Sequence, residues 1–383
     1  MAVITCIEDL RRLHQRRVPK MFYDYAESGS WTEHTLRANE TAFAKLQLRQ
    51  RVAVDISERQ LGVRLLDRDW RIPVGIAPTG LAGMQHADGE IIAAQVAEAF
   101  GVPFVLSTMS ICSLEDVAAH IDTPFWFQLY VMKDRAFIAN LIQRAQAAAC
   151  SALVLTLDLQ IMGQRHMDVK NGLSAPPRPT LKNLLNILTK PRWALGMART
   201  RRHTFGNVIG HASGVDDMTR LSSWSAEQLD PSLDWQDVEW VKSLWQGPLI
   251  LKGIMDVADA RRAVEVGADA IIVSNHGGRQ LDGAPSALEA LPEIIAAVGE
   301  QIPVMMDGGI RSGQDVFKAM AMGAQATFIG KAFLNGLGAA GRSGVQQCLQ
   351  LIERELDLTM AFCGHTDINR VDTSVFWKPY INS

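Results

Sequence analysis

The chain has 383 residues, 48% hydrophobic and 21% charged, with a formal net charge of −3. That supplies apolar material for a large core and gives no general attraction to nucleic acid. The five cysteines, Cys6, Cys112, Cys150, Cys348 and Cys363, are odd in number and lack CxxC spacing. This excludes a disulfide framework or a cysteine zinc site, so no metal is expected, and it points to reduced thiols in a cytoplasmic protein. Glu8, Asp9, Arg11 and Arg12 do not suit a signal peptide, and no run reaches the roughly 20 apolar residues of a spanning helix. Residues 1–60 read as a helical lead-in packed under or beside the main fold. Strands are expected near 73–78, 103–107, 125–129, 153–158, 249–253, 270–274, 303–307 and 326–330, each a short apolar run. Alanine-rich amphipathic segments at 90–100, 135–149, 256–266 and 313–322 alternate with them, and 345–360 reads as a closing helix.

Eight βα units in this rhythm predict a single α/β domain over 1–383, a (β/α)8 TIM barrel. A doubly wound sheet is the rival, but no GxGxxG follows the first strand. The rhythm breaks once, at 159–248, an expected rim insertion after strand four. Between Val169 and Val215 it has no Asp or Glu, while Lys170, Arg178, Lys182, Lys190, Arg192, Arg199, Arg201 and Arg202 are basic. Leu181, Leu184, Leu185, Ile187, Leu188, Trp193, Leu195 and Met197 are interleaved. A basic amphipathic segment with a tryptophan suits a membrane interface, here within 176–214; a solvated lid or a subunit contact are the alternatives.

In a barrel of this kind, chemistry is read from the C-terminal strand ends. Those ends carry Pro78-Thr79-Gly80, then Ser107, then Gln128 and Tyr130, then Thr156 and Asp158. The second half carries Lys252, then Ser274, His276 and Arg279, then Asp307-Gly308-Gly309 and Arg311, then Gly330-Lys331. Glycines beside Arg311 and Lys331 after strands seven and eight suit a phosphate. His276 and Arg279 suit a base and a cation converging on one small acid, although a lone histidine is as readily a structural hydrogen bond. Asp158 suits orientation of an imidazole or a helix cap. Lys252, at a buried strand end, needs an anionic partner.

The motifs SNHGGRQLD, DGGIRSG, APTG, WFQLY and LTLD resemble those of the FMN-dependent 2-hydroxy acid dehydrogenase/oxidase family. The resemblance runs from PKMFYDYAESG to the closing helix. TEHTLRAN, LRQRV and WQDVEW at 235–240 are most similar to the respiratory lactate dehydrogenases within it. It implies FMN as cofactor and His276 as the base, paired with Asp158. Tyr25, Tyr130, Arg165 and Arg279 would hold the substrate, and Lys252 would sit beside the flavin. Pro78, Thr79, Gly80, Ser107, Gln128, Thr156 and Ser274 would line the flavin. Asp307 would meet the ribityl chain, and Gly308, Gly309, Arg311, Gly330 and Lys331 the phosphate.

Three positions depart from common family choices. Lys331 replaces an arginine, Met109 replaces a tryptophan of glycolate oxidases in the substrate wall, and Gly80 replaces an alanine common among oxidases. The expected activity is oxidation of an (S)-2-hydroxy acid of the lactate or mandelate type, with electrons passing to a respiratory quinone. Peripheral attachment to the cytoplasmic membrane face and a homotetramer accompany that expectation. A soluble oxidase releasing peroxide and a phosphate-binding barrel isomerase are the alternatives, with an inert membrane-associated binding protein behind them.

Overall fold

A computed structural model describes residues 3–173, 180–211 and 227–378. Eight parallel strands form the centre: β1 (Val74–Ile76), β2 (Val105–Ser107), β3 (Trp126–Tyr130), β4 (Ala152–Thr156), β5 (Leu249–Ile254), β6 (Ala270–Val273), β7 (Val304–Asp307) and β8 (Thr327–Ile329). They pair in the order β1-β8-β7-β6-β5-β4-β3-β2. The ring closes between β1 and β2 through the Ile76–Phe104 bridge, where Ile76 N–H donates to Pro103 O at 2.9 Å. The strands are apolar without alternation because both faces are covered, by interior side chains and by the outer helices. All eight fall where the sequence places them.

The helices Gly89–Phe100, Arg135–Ala147, Val257–Glu265 and Gly313–Ala321 also match expectation within a few residues. Capping boxes start three others, Ser113 with Asp116, Asp234 with Asp237 and Ser286 with Glu289, each satisfying backbone N–H groups a helix start leaves orphaned. The closing helix is longer than expected. It spans Lys331–Cys363 and is interrupted at Ala340–Gly341, where Gly341 takes φ +56°.

A hairpin, Val63–Leu65 with Arg68–Trp70, stoppers the N-terminal end of the barrel. Its Trp70 ring packs against Trp126 and Phe328, with centroids 5.6 and 6.1 Å away. Of the two placements expected for the lead-in, under or beside the barrel, it takes the second. Its first helix, Ile7–Arg17, lies along the closing helix, with buried His14 hydrogen-bonded to Asn335 and Gln85 at 2.9 Å. Its second and third helices, Lys20–Glu27 and His34–Lys45, reach the C-terminal rim, where the site lies.

The insertion is shorter than 159–248, because Trp235–Leu244 is the ordinary barrel helix before β5, packed on Arg135–Ala147. The rest includes the helices Leu181–Leu188 and Pro191–Arg199. Of the 176–214 segment, 176–179 and 212–214 lie outside the described residues. Leu181, Leu184, Leu185 and Leu188 share one helical face and are 56–73% exposed. Trp193 instead turns inward and stacks on Phe22 at 5.5 Å. Arg202 bonds Asp88 and Asp116, so this half-buried cation anchors the insertion to the barrel. No described helix is long and apolar enough to cross a membrane.

Candidate active site

At the rim, loops and lead-in enclose one cavity of about 770 Å³. Every residue singled out from the sequence lines it except Asp158, Gln128 and Ser274, and those three stand directly behind the lining. Asp158 does not cap a helix: its Oδ1 lies 2.7 Å from His276 Nδ1. Space for that carboxylate comes from a bulge in β5 at Gly253, where φ is +99° and an added Cβ would fall 2.8 Å from Asp158 Cγ. Ser274 Oγ receives Lys252 Nζ at 2.8 Å and His276 N–H at 3.1 Å. Gln128 Oε1 receives the Ser107 hydroxyl at 3.1 Å.

Electrostatics separate the roles these groups can take. Burial drives the Asp158 carboxyl upward, but the His276 ring and the Lys252 ammonium outweigh it and hold it below its usual value. Burial takes His276 below its ordinary value against the pull of Asp158. An ionised Asp158 facing a neutral ring puts the ring proton on Nδ1 and leaves Nε2 as a free lone pair. Burial opposes the charge on Lys252, yet Asp307 and Asp158 raise it, and Asp307 Oδ2 lies 2.9 Å from Nζ. Lys252 is therefore a permanent cation. Burial and the Asp158 charge push the Tyr130 phenol up, so it stays neutral.

Two arginines converge beside the histidine. Arg279 donates to the carbonyls of Tyr25 and Ser28 and lies 4.7 Å from the Tyr25 ring centroid. Arg165 donates to the Arg279 carbonyl at 3.3 Å and to Gln280 at 3.1 Å. Burial and repulsion from Arg279 lower Arg165 to about 10, so the pair favours an incoming anion.

The opposite side is the cofactor-sized end. Gln128 Nε2, Thr156 Oγ1 and Asp307 Oδ1 are buried without a hydrogen-bond partner, an unusual concentration of unmet polar atoms at three strand ends of one rim. Lys331 Nζ reaches the Glu27 and Ser28 carbonyls at 2.6 and 3.3 Å, and its enclosure pushes it down to about 7, with Arg279 adding repulsion. A phosphate would satisfy this lysine. At Gly309, with φ +85°, an added Cβ would lie 2.1 Å from Asn39 O. Arg311 lines the cavity but also pairs with Glu40 at 3.0 Å. These donors, acceptors and cations fit an FMN ring, its ribityl chain and its phosphate.

Four residues, Asp168, Asn39, Asn275 and Glu90, were given no role from the sequence. Asp168 lies 4.0 Å from Arg165, burial pushes its carboxyl up, and its Oδ1 is unpaired. The Arg-x-x-Asp spacing of one helical turn could have signalled it. Asn39 and Asn275 exchange two 2.9 Å hydrogen bonds beneath the glycine loops. Glu90, buried, accepts from Gly83 and Ile111 N–H at 2.9 and 3.0 Å and ties two rim loops together.

Comparison with known proteins agrees with this geometry. The chain matches the family described as FMN-dependent dehydrogenase over residues 14–378. An L-lactate dehydrogenase of Ectopseudomonas mendocina is 42% identical over 377 residues, 98% of this chain and 99% of the relative. One of Pseudomonas putida strain GB-1 is 43% identical over 370 residues, 96% and 97% of the two chains. Among solved structures, the monotopic membrane protein (S)-mandelate dehydrogenase superposes with TM-score 0.93 at 36% identity, covering 98% and 99%. A mandelate oxidase superposes with TM-score 0.82 at 35% identity, covering 96% of each.

Proposed function

The chain belongs to the family of FMN-dependent dehydrogenases, and on that premise we propose that it oxidises an (S)-2-hydroxy acid to the 2-oxo acid for a membrane quinone. The observation that carries this reading is the Asp158–His276 pair at 2.7 Å beside two convergent arginines. Arg279 and Arg165 bind the carboxylate, with Tyr25 and Tyr130 ordering the carbinol. His276 Nε2 takes the hydroxyl proton, and ionised Asp158 stabilises the imidazolium that results. Lys252, a buried cation, would supply fixed positive charge to a reduced flavin. Gln128 Nε2 and Thr156 Oγ1 would hold the ring, Asp307 the ribityl chain, and Lys331 with the Gly308-Gly309 loop the phosphate. Bound here, FMN would supply the two-electron redox chemistry that these side chains lack.

The quinone assignment is supported by the exposed Leu181–Leu188 face on a segment rich in lysine and arginine, and by the likeness to a monotopic membrane enzyme. We propose attachment on the cytoplasmic face, where five unpaired cysteines would stay reduced. Anaerobic addition of (S)-2-hydroxy acids should bleach the flavin, with slow recovery in air. Rapid recovery with stoichiometric peroxide would make the protein an oxidase, and no bleaching by any acid would remove the reading altogether. Replacing the exposed Leu181, Leu184, Leu185 and Leu188 by glutamine should move the protein from membranes to the soluble fraction while dye reduction persists.

A further inference from the structure

We infer that the site selects 2-hydroxy acids carrying an extended apolar side chain, alkyl or aryl, over lactate. The inference rests on the proposed oxidation of a 2-hydroxy acid at this site. His276, Arg165, Arg279, Tyr25 and Tyr130 can account for the carboxylate and the carbinol of any 2-hydroxy acid, so the side chain meets what remains of the cavity wall. Of the rest, Lys252, Asp307, Arg311 and Lys331 would serve the cofactor and Asp168 lies against Arg165, which leaves an apolar part that includes Phe22, Leu81, Met84, Met109 and Phe205. Met109 stands next to the reacting groups: a Cβ on Gly80 would lie 3.5 Å from Met109 Cβ and 3.1 Å from the Tyr25 hydroxyl.

The wall is backed by its own small hydrophobic cluster, joined to the barrel core through Phe205. Met84, Ile111 and Met197 form its buried part, and Phe22, Leu81, Trp193 and Phe205 pack on it. Trp193 stacks on Phe22 and donates its indole N–H to the Met84 carbonyl at 2.8 Å, which fixes the wall from behind. The lead-in, the rim loops after β1 and β2, and the insertion each contribute to it. An apolar wall facing a cavity gains when a ligand covers it, and the methyl of lactate covers little. Methionines at 84 and 109 deform around chains of different shape, so straight and aromatic side chains are both accommodated. A charged side chain, as in malate, would lose its hydration against this wall without a partner.

The test is anaerobic flavin reduction of the holoenzyme with (S)-lactate, 2-hydroxybutanoate, 2-hydroxyhexanoate, 2-hydroxyoctanoate, mandelate and malate. The second-order rate constant should rise about four-fold per methylene from lactate to hexanoate, about sixty-fold in all. Mandelate should rank with hexanoate, and malate should fall below lactate. Met109→Trp fills the wall and should bring the hexanoate-to-lactate ratio below about five. Lactate reacting as fast as hexanoate overturns this inference while leaving the oxidation itself intact. A panel in which no acid reduces the flavin overturns both.

Discussion

The hydroxyl of Tyr25 stands over Gly80, so closely that an added Cβ would sit 3.1 Å from it and 3.3 Å from the Met109 carbonyl. Both neighbours face the cavity. An alanine here fits only if the tyrosine or the Met109 backbone gives way by a few tenths of an ångström. Gly80→Ala should therefore stay within about 1 kcal/mol of wild-type stability and keep its flavin. Its kcat/KM for the acid should drop about tenfold, because the displaced group belongs to the substrate side. Steady-state kinetics beside a thermal melt checks this; a melt lowered without a kinetic change would contradict it.

The His276–Asp158 pair gives a pH prediction with a definite sign. The active ring is neutral, and burial sets its midpoint below 6.5, so flavin reduction should be flat near neutrality and fall on acidification below that value. Asp158 supports the protonated ring. Asp158→Asn should therefore shift the midpoint further down while cutting the plateau rate about 100-fold. His276→Ala should lose between about 10² and 10⁴ in the rate and retain FMN. Stopped-flow rates from pH 4.5 to 9 test all three, and an upward shift in the asparagine variant would refute the assignment.

Lys331 predicts that cofactor affinity depends on alkalinity. In the free site its ammonium is pushed down to about 7, whereas a bound phosphate favours the charged form. Binding above pH 7 must then take up a proton, so FMN affinity should weaken by up to about tenfold per pH unit above 7 and level off below. Calorimetric titration of apoprotein in buffers of different ionisation heat measures the uptake directly. Lys331→Met should flatten the dependence as well as weaken binding.

The glycines of the two loops should not be equally sensitive. At Gly309 an added Cβ meets backbone, 2.1 Å from Asn39 O, at φ +85°. At Gly277, φ +64°, the nearest atom is Lys331 Cε at 4.0 Å. Gly277→Ala should cost about 1–2 kcal/mol of backbone strain, while Gly309→Ala should cost several and release FMN. Chemical denaturation of the two variants ranks them; equal losses would count against the clash.

Strands buried on both faces are continuous apolar runs with glycine and polar residues at their ends, so β1 to β8 and the rim groups were legible locally in the sequence. The Val63–Trp70 hairpin was not. Its two turn residues, Leu66 and Asp67, take φ +48° and +60°, a turn usually announced by Asn-Gly. Asn39 was hidden for another reason: nothing local links it to Asn275 or Gly309, and only the folded lead-in brings them together. The exposed leucine face was legible as an amphipathic pattern, but the inward turn of Trp193 depends on Phe22, far away in the chain.

His276 takes φ +58°, in the left-handed region that a residue with a Cβ enters at a cost of about 1–2 kcal/mol. The Lys252–Ser274 and Ser274–His276 hydrogen bonds keep it there. The loop thus carries backbone strain at the very residue assigned the proton transfer, and the bond to Asp158 more than offsets it. His276→Gly would relax the backbone only by leaving a buried carboxylate without its partner, so the residue that moves the proton also holds its own loop in place.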